Sequence, residues 1–385
     1  MLSDTSTCFL ALGIEPETGG TYKSLKLFQD ALGGPILAFS TKRKTGERSP
    51  DGSIEYLGSR NLHYLGGAFR KRVRERAQAT KLLSCHVIFR YHTEITRQVA
   101  RDLSRPYWAI PHGSMDPWVF RQAPRIKETW FRFFGKGFFA GAAHVICATE
   151  RERDKVRERH DGPNLRVVHW PVRVPDLSER EQARSDLHAE LGLPHGARIL
   201  LFFGRYHTMK RPLETIALFL KAGLSERTHL VMAGIDYDVP RAQLEAEARA
   251  NPRIHVLPAT FGEKRSRLLL GCDAFISLSH RENFNHSAAE AMAAGQALFL
   301  SPGNDLRYSF PQGSDFGWFP DTDSDVEYIE HLRAFDRMGD EDLWAKGAAA
   351  SQWASQELSF EKFRESLRTL HREAVGKPAN HEQKL

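Results

Sequence analysis

Two carboxylates, Glu282 and Glu290, mark residues 273–300, DAFISLSHRENFNHSAAEAMAAGQALFL. A carboxylate accepts hydrogen bonds and donates none, which makes it a good partner for paired sugar hydroxyls. Upstream, Arg205 and Lys210 follow the apolar run RILLFF. Cations presented at a strand end, beside the start of a helix, suit a diphosphate. A third group is the imidazole of His112, in a Pro111-His112-Gly113 turn after an apolar run. A histidine placed there stands where functional loops concentrate. Gly19-Gly20, after the first apolar run, would let backbone approach a phosphate closely. Each signal also has a plainer reading: solvated acids, a basic surface turn, a structural histidine, an ordinary glycine turn.

The elements that must position these groups follow from the hydrophobic pattern. Ala274 to Leu278 reads as a buried strand, and a polar loop from His280 to Asn285 follows it. A helix is expected from His286 to Ala294, ended by Gly295, and then a strand over residues 297–300. This βαβ unit carries its loop at the carboxyl end of a strand, the edge at which open α/β sheets bind ligands. At ~1.5 Å of rise per residue, Glu290 lies a little over one turn into the helix and can point back toward the loop. The helix N-terminus itself offers unpaired N–H groups to a phosphate.

Further strands are expected over residues 8–14, 37–40, 87–90, 108–110, 145–148 and 167–170 in the first half. In the second half they are expected over 198–203, 229–234 and 253–257. Helices are expected over 22–32, 179–191, 213–221, 264–270 and 360–373. Residues 171–197, with several prolines and glycines, read as the connection between domains plus the opening helix of the second. Two stretches are rich in cations. Residues 70–81 form a basic helical run, read as a solvated face or an anionic membrane surface. Residues 128–143 interleave Trp130, Phe131, Phe133, Phe134, Phe138 and Phe139 with Arg132 and Lys136, read as helical core packing or a membrane interface. The two D-x-D triplets in residues 321–325 precede a helical segment and read as helix capping rather than a metal site.

At 385 residues the chain calls for two domains. A hydrophobic content of 41% with 26% charged residues is that of a globular protein, and no apolar run approaches the ~20 residues that span a bilayer. Met1 to Asp4 lack the basic start of a signal peptide. The four cysteines are far apart with no C-x-x-C, which suggests neither zinc nor disulfides and implies a reduced, cytoplasmic setting. A formal charge of +6 permits nucleic acid, anionic membrane or phosphorylated partners without choosing among them. No nucleic-acid module is present, so no nucleic-acid partner is expected.

Residues 273–300 resemble the donor-site signature of the retaining glycosyltransferases of family 4 (glycosyl transferases group 1), which have the GT-B fold. Ser279, Glu282, Phe284, Glu290, Ala294 and Gly295 stand in register with it. Asn285 stands where glycine is usual, and Asn is the next most tolerant of a left-handed backbone. Ala297 stands where proline is usual. The segment PHGSMDPW is similar to the family's PHGMLDPW, and Arg205 and Lys210 match its G-R-x4-K.

The resemblance implies an α/β architecture of two Rossmann-like domains facing a cleft. Residues 1–173 would bind acceptor and 174–357 the donor. A C-terminal helix (358–375) would cross back onto the first domain, with a polar tail at 376–385. The implied catalytic residues are His112, Glu282, Arg205 and Lys210. The implied donor-binding residues are Gly19, Gly20, Arg205, Lys210, Ala259, Glu282, Asn283, Phe284, Asn285 and Glu290. The implied reaction moves a sugar, with retention, from a nucleotide-diphosphate sugar to a glycan or lipid-linked acceptor in bacterial surface polysaccharide synthesis. No metal or other cofactor is implied. A peripheral contact with the anionic inner membrane surface fits such acceptors. UDP and GDP donors both fit. A GT-B nucleotide-sugar epimerase and a non-catalytic basic binding protein are the alternatives.

Overall fold

Thirteen short strands in the described residues carry almost unbroken apolar runs, as expected of parallel sheets covered by helices on both faces. The computed structural model describes residues 6–14, 19–40, 42–58 and 67–376, with residues 67 and 68 described by backbone alone. The chain divides into two compact units, Met1–Trp170 with Glu361–Leu385, and Pro171–Phe360.

The first unit holds β1 (Thr7–Leu12), β2 (Ile36–Ser40), β3 (Ile54–Gly58), β4 (Leu82–His86), β5 (Tyr107–Ile110), β6 (His144–Cys147) and β7 (Leu165–Val167). They lie in the order β3-β2-β1-β4-β5-β6-β7, and each neighbouring pair is parallel. The second unit holds β8 (Arg198–Tyr206), β9 (Thr228–Asp236), β10 (Ile254–Leu257), β11 (Ala274–Ser277), β12 (Ala297–Leu300) and β13 (Gly317–Trp318). Their order is β10-β9-β8-β11-β12-β13, again all parallel. Both sheets therefore run outward in two directions from a central pair, β1/β4 and β8/β11. Between the strands of such a pair the topology reverses, and the crevice at their carboxyl ends is where doubly wound sheets bind ligands.

The helix His286–Ala293 buries Ala288, Ala289, Ala291 and Met292 against β11 and β12. Gly295, at φ 79°, ends that helix as expected. A neighbouring helix, Asp340–Glu357, approaches so closely that a Cβ on its Gly347 would lie 2.0 Å from the Gly295 carbonyl oxygen. The last helix, Phe360–Gly376, returns to the first unit, where Phe363 meets the Phe28 ring edge-on at 5.2 Å. The polar tail from residue 377 and the first five residues lie outside the described residues.

Several expectations need correction. Residues 87–90 are not a strand. The strand is β4, one run earlier, and Val87 and Phe89 sit in a turn at φ 65° and 74°. The apolar run was misleading because its side chains line a tight loop instead of a pleat. β8 continues past residue 203 to Tyr206, so Arg205 lies on the strand itself. β3 carries no strong signal because its short run includes Glu55. That buried carboxylate is balanced by Arg72 at 2.8 Å and Arg76 at 2.6 Å. The D-x-D stretch caps a helix as expected: Asp325–Arg337 begins at its last residue, and the cap is Ser324, which accepts from the Glu327 amide at 3.3 Å. Glu327 reaches back to the amides of Asp321 and Thr322, a reciprocal arrangement of the capping-box kind. Residues 128–141 are helical, and they split: Phe131, Phe138 and Phe139 are buried, while Phe133 and Phe134 are exposed. All four cysteines are free and buried.

Candidate functional sites at the two switch points

In the second unit, β8 and β11 place their following loops side by side. After β8 the chain makes a short 3-10 turn, Thr208–Lys210, fixed by the Lys210 amide on the His207 carbonyl at 2.7 Å. The loop after β11 is tied to it where the His280 amide donates to the Met209 carbonyl at 2.9 Å. The Lys210 ammonium thereby meets the Glu282 carboxylate in an ion pair across the switch point. Ser279 Oγ also reaches Glu282 Oε1, at 3.3 Å. Glu282 is held from the other side through its backbone. Its amide donates to the Gly303 carbonyl at 2.8 Å and its carbonyl accepts from the Asp305 amide at 2.9 Å. Gly303 permits this approach, since a Cβ there would lie 2.3 Å from the Ser279 and His280 carbonyl oxygens.

A buried polar shelf lies under this loop. Asn285 takes φ 55°, the left-handed conformation expected of the residue standing in glycine's place. Its Oδ1 caps the helix by accepting from the Ala288 amide at 3.2 Å. Its Nδ2 donates to Asn304 Oδ1 at 2.6 Å and Ser277 Oγ at 3.1 Å. Asn304 in turn donates to Ser301 Oγ at 2.9 Å and the Ser277 carbonyl at 3.0 Å. Burying several polar groups is tolerable when they satisfy one another, and such a network fixes one geometry. Phe284 is buried beside it, edge-on to His286 at 5.1 Å, and Asn283 is half-buried.

Glu290 lies in the second turn of the helix, as expected. Its carboxylate is held by Arg265, in the first turn of the helix Gly262–Gly271. Arg265 was missed by sequence reasoning. Only the strand order reveals that the helix after β10 starts at the same sheet edge. Arg205 is not brought to Glu282. Its guanidinium stands 5.1 Å over the Tyr237 ring, which also stacks on His207 at 4.9 Å. Arg211, next to Lys210, turns to Asp323. Burial alone would raise the Asp323 carboxyl, but hydrogen bonds from Tyr328 and Arg211 hold it below its usual range. Ala259 is half-buried at the end of β10, in the loop that leads to the exposed Phe261. Among the described residues, no group of three or more His, Cys, Asp or Glu side chains is placed to share a metal ion.

The first unit's switch point is built from imidazoles. His112 follows β5 at φ 50°. The turn is clamped by Glu152, a buried carboxylate in the first turn of the helix Glu150–Arg157. Glu152 accepts from the Gly113 amide and the Ala148 amide, each at 2.6 Å, so one side chain joins two loops. His112 Nε2 lies 2.9 Å from Nδ1 of His86, the last residue of β4. His86 Nε2 meets Ser84 Oγ at 3.0 Å. Burial pushes His86 well below its ordinary pKa, and His112 and His92 add to the effect. A neutral imidazole has one donor and one acceptor nitrogen, so Ser84 supplies whichever role His112 leaves. The turn at 87–90 is held by His92, whose Nε2 donates to the His86 and Val87 carbonyls at 3.2 and 3.0 Å. Burial pushes His92 down to about 4. Neither His86 nor Glu152 was found in the sequence, because neither lies in a motif. Gly19, at φ 74°, precedes the helix Gly20–Leu32 and needs glycine for its backbone, not for space. Gly20 opens that helix.

The fold has close counterparts among solved structures. An Anabaena protein, Alr3699/HepE in complex with UDP, superposes with a TM-score of 0.73 at 15% identity, covering 94% of this chain and 98% of that one. Sucrose-phosphate synthase from Thermosynechococcus elongatus gives 0.74 at 15% identity, covering 96% and 99%. Among curated proteins, GDP-mannose:cellobiosyl-diphosphopolyprenol alpha-mannosyltransferase of Xanthomonas campestris is 28% identical over 202 residues, 51% of this chain and 50% of that protein. D-inositol 3-phosphate glycosyltransferase of a Nocardioides species is 27% identical over 285 residues, 67% of this chain and 61% of that protein. The chain spans about half the length of the Xanthomonas relatives it matches. Residues 183–334, which hold Arg205, Lys210, Arg265, Glu282 and Glu290, match the model of the family described as Glycosyl transferases group 1. The second unit thus carries a Glycosyl transferases group 1 domain, within a chain of GT-B fold.

Proposed function

We propose that this chain is a retaining glycosyltransferase of family 4, moving a hexose from a nucleotide-diphosphate sugar to a glycan or lipid-linked saccharide during bacterial surface polysaccharide synthesis. The observation that carries this reading is the pair of cation–carboxylate contacts, Lys210–Glu282 and Arg265–Glu290, at the carboxyl edge of one parallel sheet beside a helix N-terminus. A diphosphate presents the negative charge that Lys210 and Arg205 would take. Ribose and sugar present the hydroxyl pairs that Glu290 and Glu282 would accept. The Xanthomonas relative's name, with its GDP-mannose donor and diphosphopolyprenol acceptor, supports the same substrate classes.

In the proposed step an acceptor hydroxyl oxygen bonds to the anomeric carbon on the face from which the diphosphate leaves. The carbon–oxygen bond to the diphosphate breaks, and the acceptor proton passes to the departing phosphate oxygen. Charge gathering on that phosphate is met by Lys210, Arg205 and the amides at the start of the helix, so the proposed reaction needs no metal ion. His112 has the task of polarising groups at the reaction centre. The test is a thermal-shift screen against UDP, GDP, ADP and dTDP, with and without EDTA. At ~100 times its Kd one nucleotide family should add about 2.7 kcal/mol of stability, unchanged by EDTA and abolished in Lys210→Ala. No stabilisation by any of them would overturn the donor site.

A further inference from the structure

We propose that the helical segment 124–141 is a docking surface for an anionic lipid bilayer, an inference that does not depend on the sugar-transfer reading. The sequence holds two cation-rich stretches, and the structure separates them. In the helix Gly67–Ala77 the charge is largely spent within the unit: Arg70 pairs with Asp102, Arg72 with Glu55 and Glu75, and Arg76 with Glu55. Lys71 and Arg74 stay exposed there, and among the described residues of that helix no large apolar side chain is exposed beside them.

The other stretch keeps its charge and adds apolar surface. It runs as helix Pro124–Trp130, a π-helical turn Phe131–Gly135, and helix Lys136–Gly141. The backbone stays helical through both joints, with φ −58° at Trp130 and −62° at Gly135. Phe131, Phe138 and Phe139 anchor it in the core. The opposite side exposes Arg125, Ile126, Thr129, Arg132, Phe133 and Lys136. Arg125, Ile126 and Thr129 share a face of the first helix by their spacing of three and four, and Arg132, Phe133 and Lys136 continue the exposed surface through the π-helical turn into the next helix. Ile126 is 73% exposed and Phe133 70%. Phe134 flanks them at 45%. Among the described residues Arg125, Arg132 and Lys136 have no acidic partner. The segment's single acid, Glu128, is occupied by Arg159 at 2.9 Å.

Each exposed arginine stands next in sequence to a large apolar side chain, Arg125 to Ile126 and Arg132 to Phe133. In a bilayer the apolar groups sink below the phosphates, while the flexible cationic stems reach back up to them. A nucleic acid would satisfy the cations, but it would leave Ile126 facing water. Charge complementarity together with the apolar side chains therefore selects a bilayer.

The experiment is flotation of the full chain with vesicles of phosphatidylcholine alone, or containing about 30% phosphatidylglycerol. Binding is expected only to the anionic vesicles and should weaken with salt. Phe133→Ser with Ile126→Ser should lower binding at least about tenfold. The triple change Arg125→Gln, Arg132→Gln, Lys136→Gln should lower it about fivefold per charge. Both variants should keep the parent's melting temperature, since every replaced side chain is exposed. The proposal is overturned if the parent ignores anionic vesicles, binds neutral ones equally well, or binds single-stranded DNA instead of vesicles. It is also overturned if either variant binds as the parent does.

Discussion

The two units share one strand order and differ in what they place at the point where that order reverses. In the second unit the β8/β11 switch point is ionic: a lysine and a glutamate from neighbouring loops meet, and an arginine holds a second glutamate nearby. In the first unit the β1/β4 switch point is a hydrogen-bonded chain of a hydroxyl and two imidazoles, Ser84, His86 and His112, with a carboxylate, Glu152, turned inward as a clamp. The difference teaches what each crevice can do. Paired charges can be exchanged for the charges and hydroxyls of a ligand. A buried neutral imidazole can only orient, donate one proton or accept one.

The sharpest way to break this contrast is to remove the exchangeable charge. Lys210→Ala is expected to lower the sugar-transfer rate by about 10²–10³-fold, the usual effect of losing one preorganised group at a developing anion. The side chain is part-buried in a loop and not in the core, so melting should change little. Full activity in the variant would remove the ionic switch point from the reaction. The matching change in the first unit is Glu152→Ala, which should show first as a loss of stability. Hydrogen bonds to a charged group contribute about 1.5–3 kcal/mol each, and this carboxylate accepts two amides. A loss of about 3 kcal/mol in urea unfolding is expected. An unchanged midpoint would show that the Pro-His-Gly turn does not need its clamp.

How far the sequence revealed this follows from the same contrast. The loop of β11 and its helix were readable because strand, polar loop, cap and glycine stop come in order along one stretch. β12 falls on the expected residues. Arg205, Lys210, Glu282 and Glu290 were named because the chemistry sits in local motifs. Arg265, Asn304, His86 and Glu152 were not, because they become neighbours only when strands far apart in sequence pair. Residues 87–90 went wrong for a different reason. A run of valine, isoleucine and phenylalanine reads as a strand, yet two of them take positive φ, a conformation that tertiary contacts, here His92 on two carbonyls, must enforce.

Acid should separate the two regions further. His92 has a folded pKa of about 4, below its unfolded value, because burial disfavours its charged form, and His86 is lowered in the same direction. The unfolded chain then binds more protons below pH ~6.5, so stability falls as pH drops from there toward the folded pKa. By pH 5.5 the loss is about 1 kcal/mol for His92, and His86 adds to it in the same direction. Hydrogen exchange should show amides around residues 86–93 losing protection between pH 7 and 5.5, while those of 277–290 keep theirs. In the second unit three histidines are depressed: His188, near the end of the helix Arg180–Leu191 that precedes β8, and His229 and His255, near the starts of β9 and β10, at the sheet edge away from the ionic pair. Equal losses at both switch points would mean that acid acts through the carboxylates instead.

The smallest effect expected is at Asn285. Glycine there would accept φ 55° with no strain, and the Asn cap is worth only a few tenths of a kcal/mol over glycine. What glycine cannot supply is the amide nitrogen that donates to Asn304 Oδ1 and Ser277 Oγ. Asn304 Oδ1 would keep one partner, the Ser277 hydroxyl at 3.2 Å, so the penalty of a fully orphaned acceptor is avoided. Asn285→Gly should therefore cost about 1 kcal/mol, seen as a small fall in melting temperature. Asn285→Ala, which loses the same bonds and also strains the left-handed backbone, should cost about 1 kcal/mol more. If glycine were neutral and alanine were not, the residue's value would lie in its backbone alone. If both cost the same, it would lie in the buried shelf that holds the Glu282 loop in place.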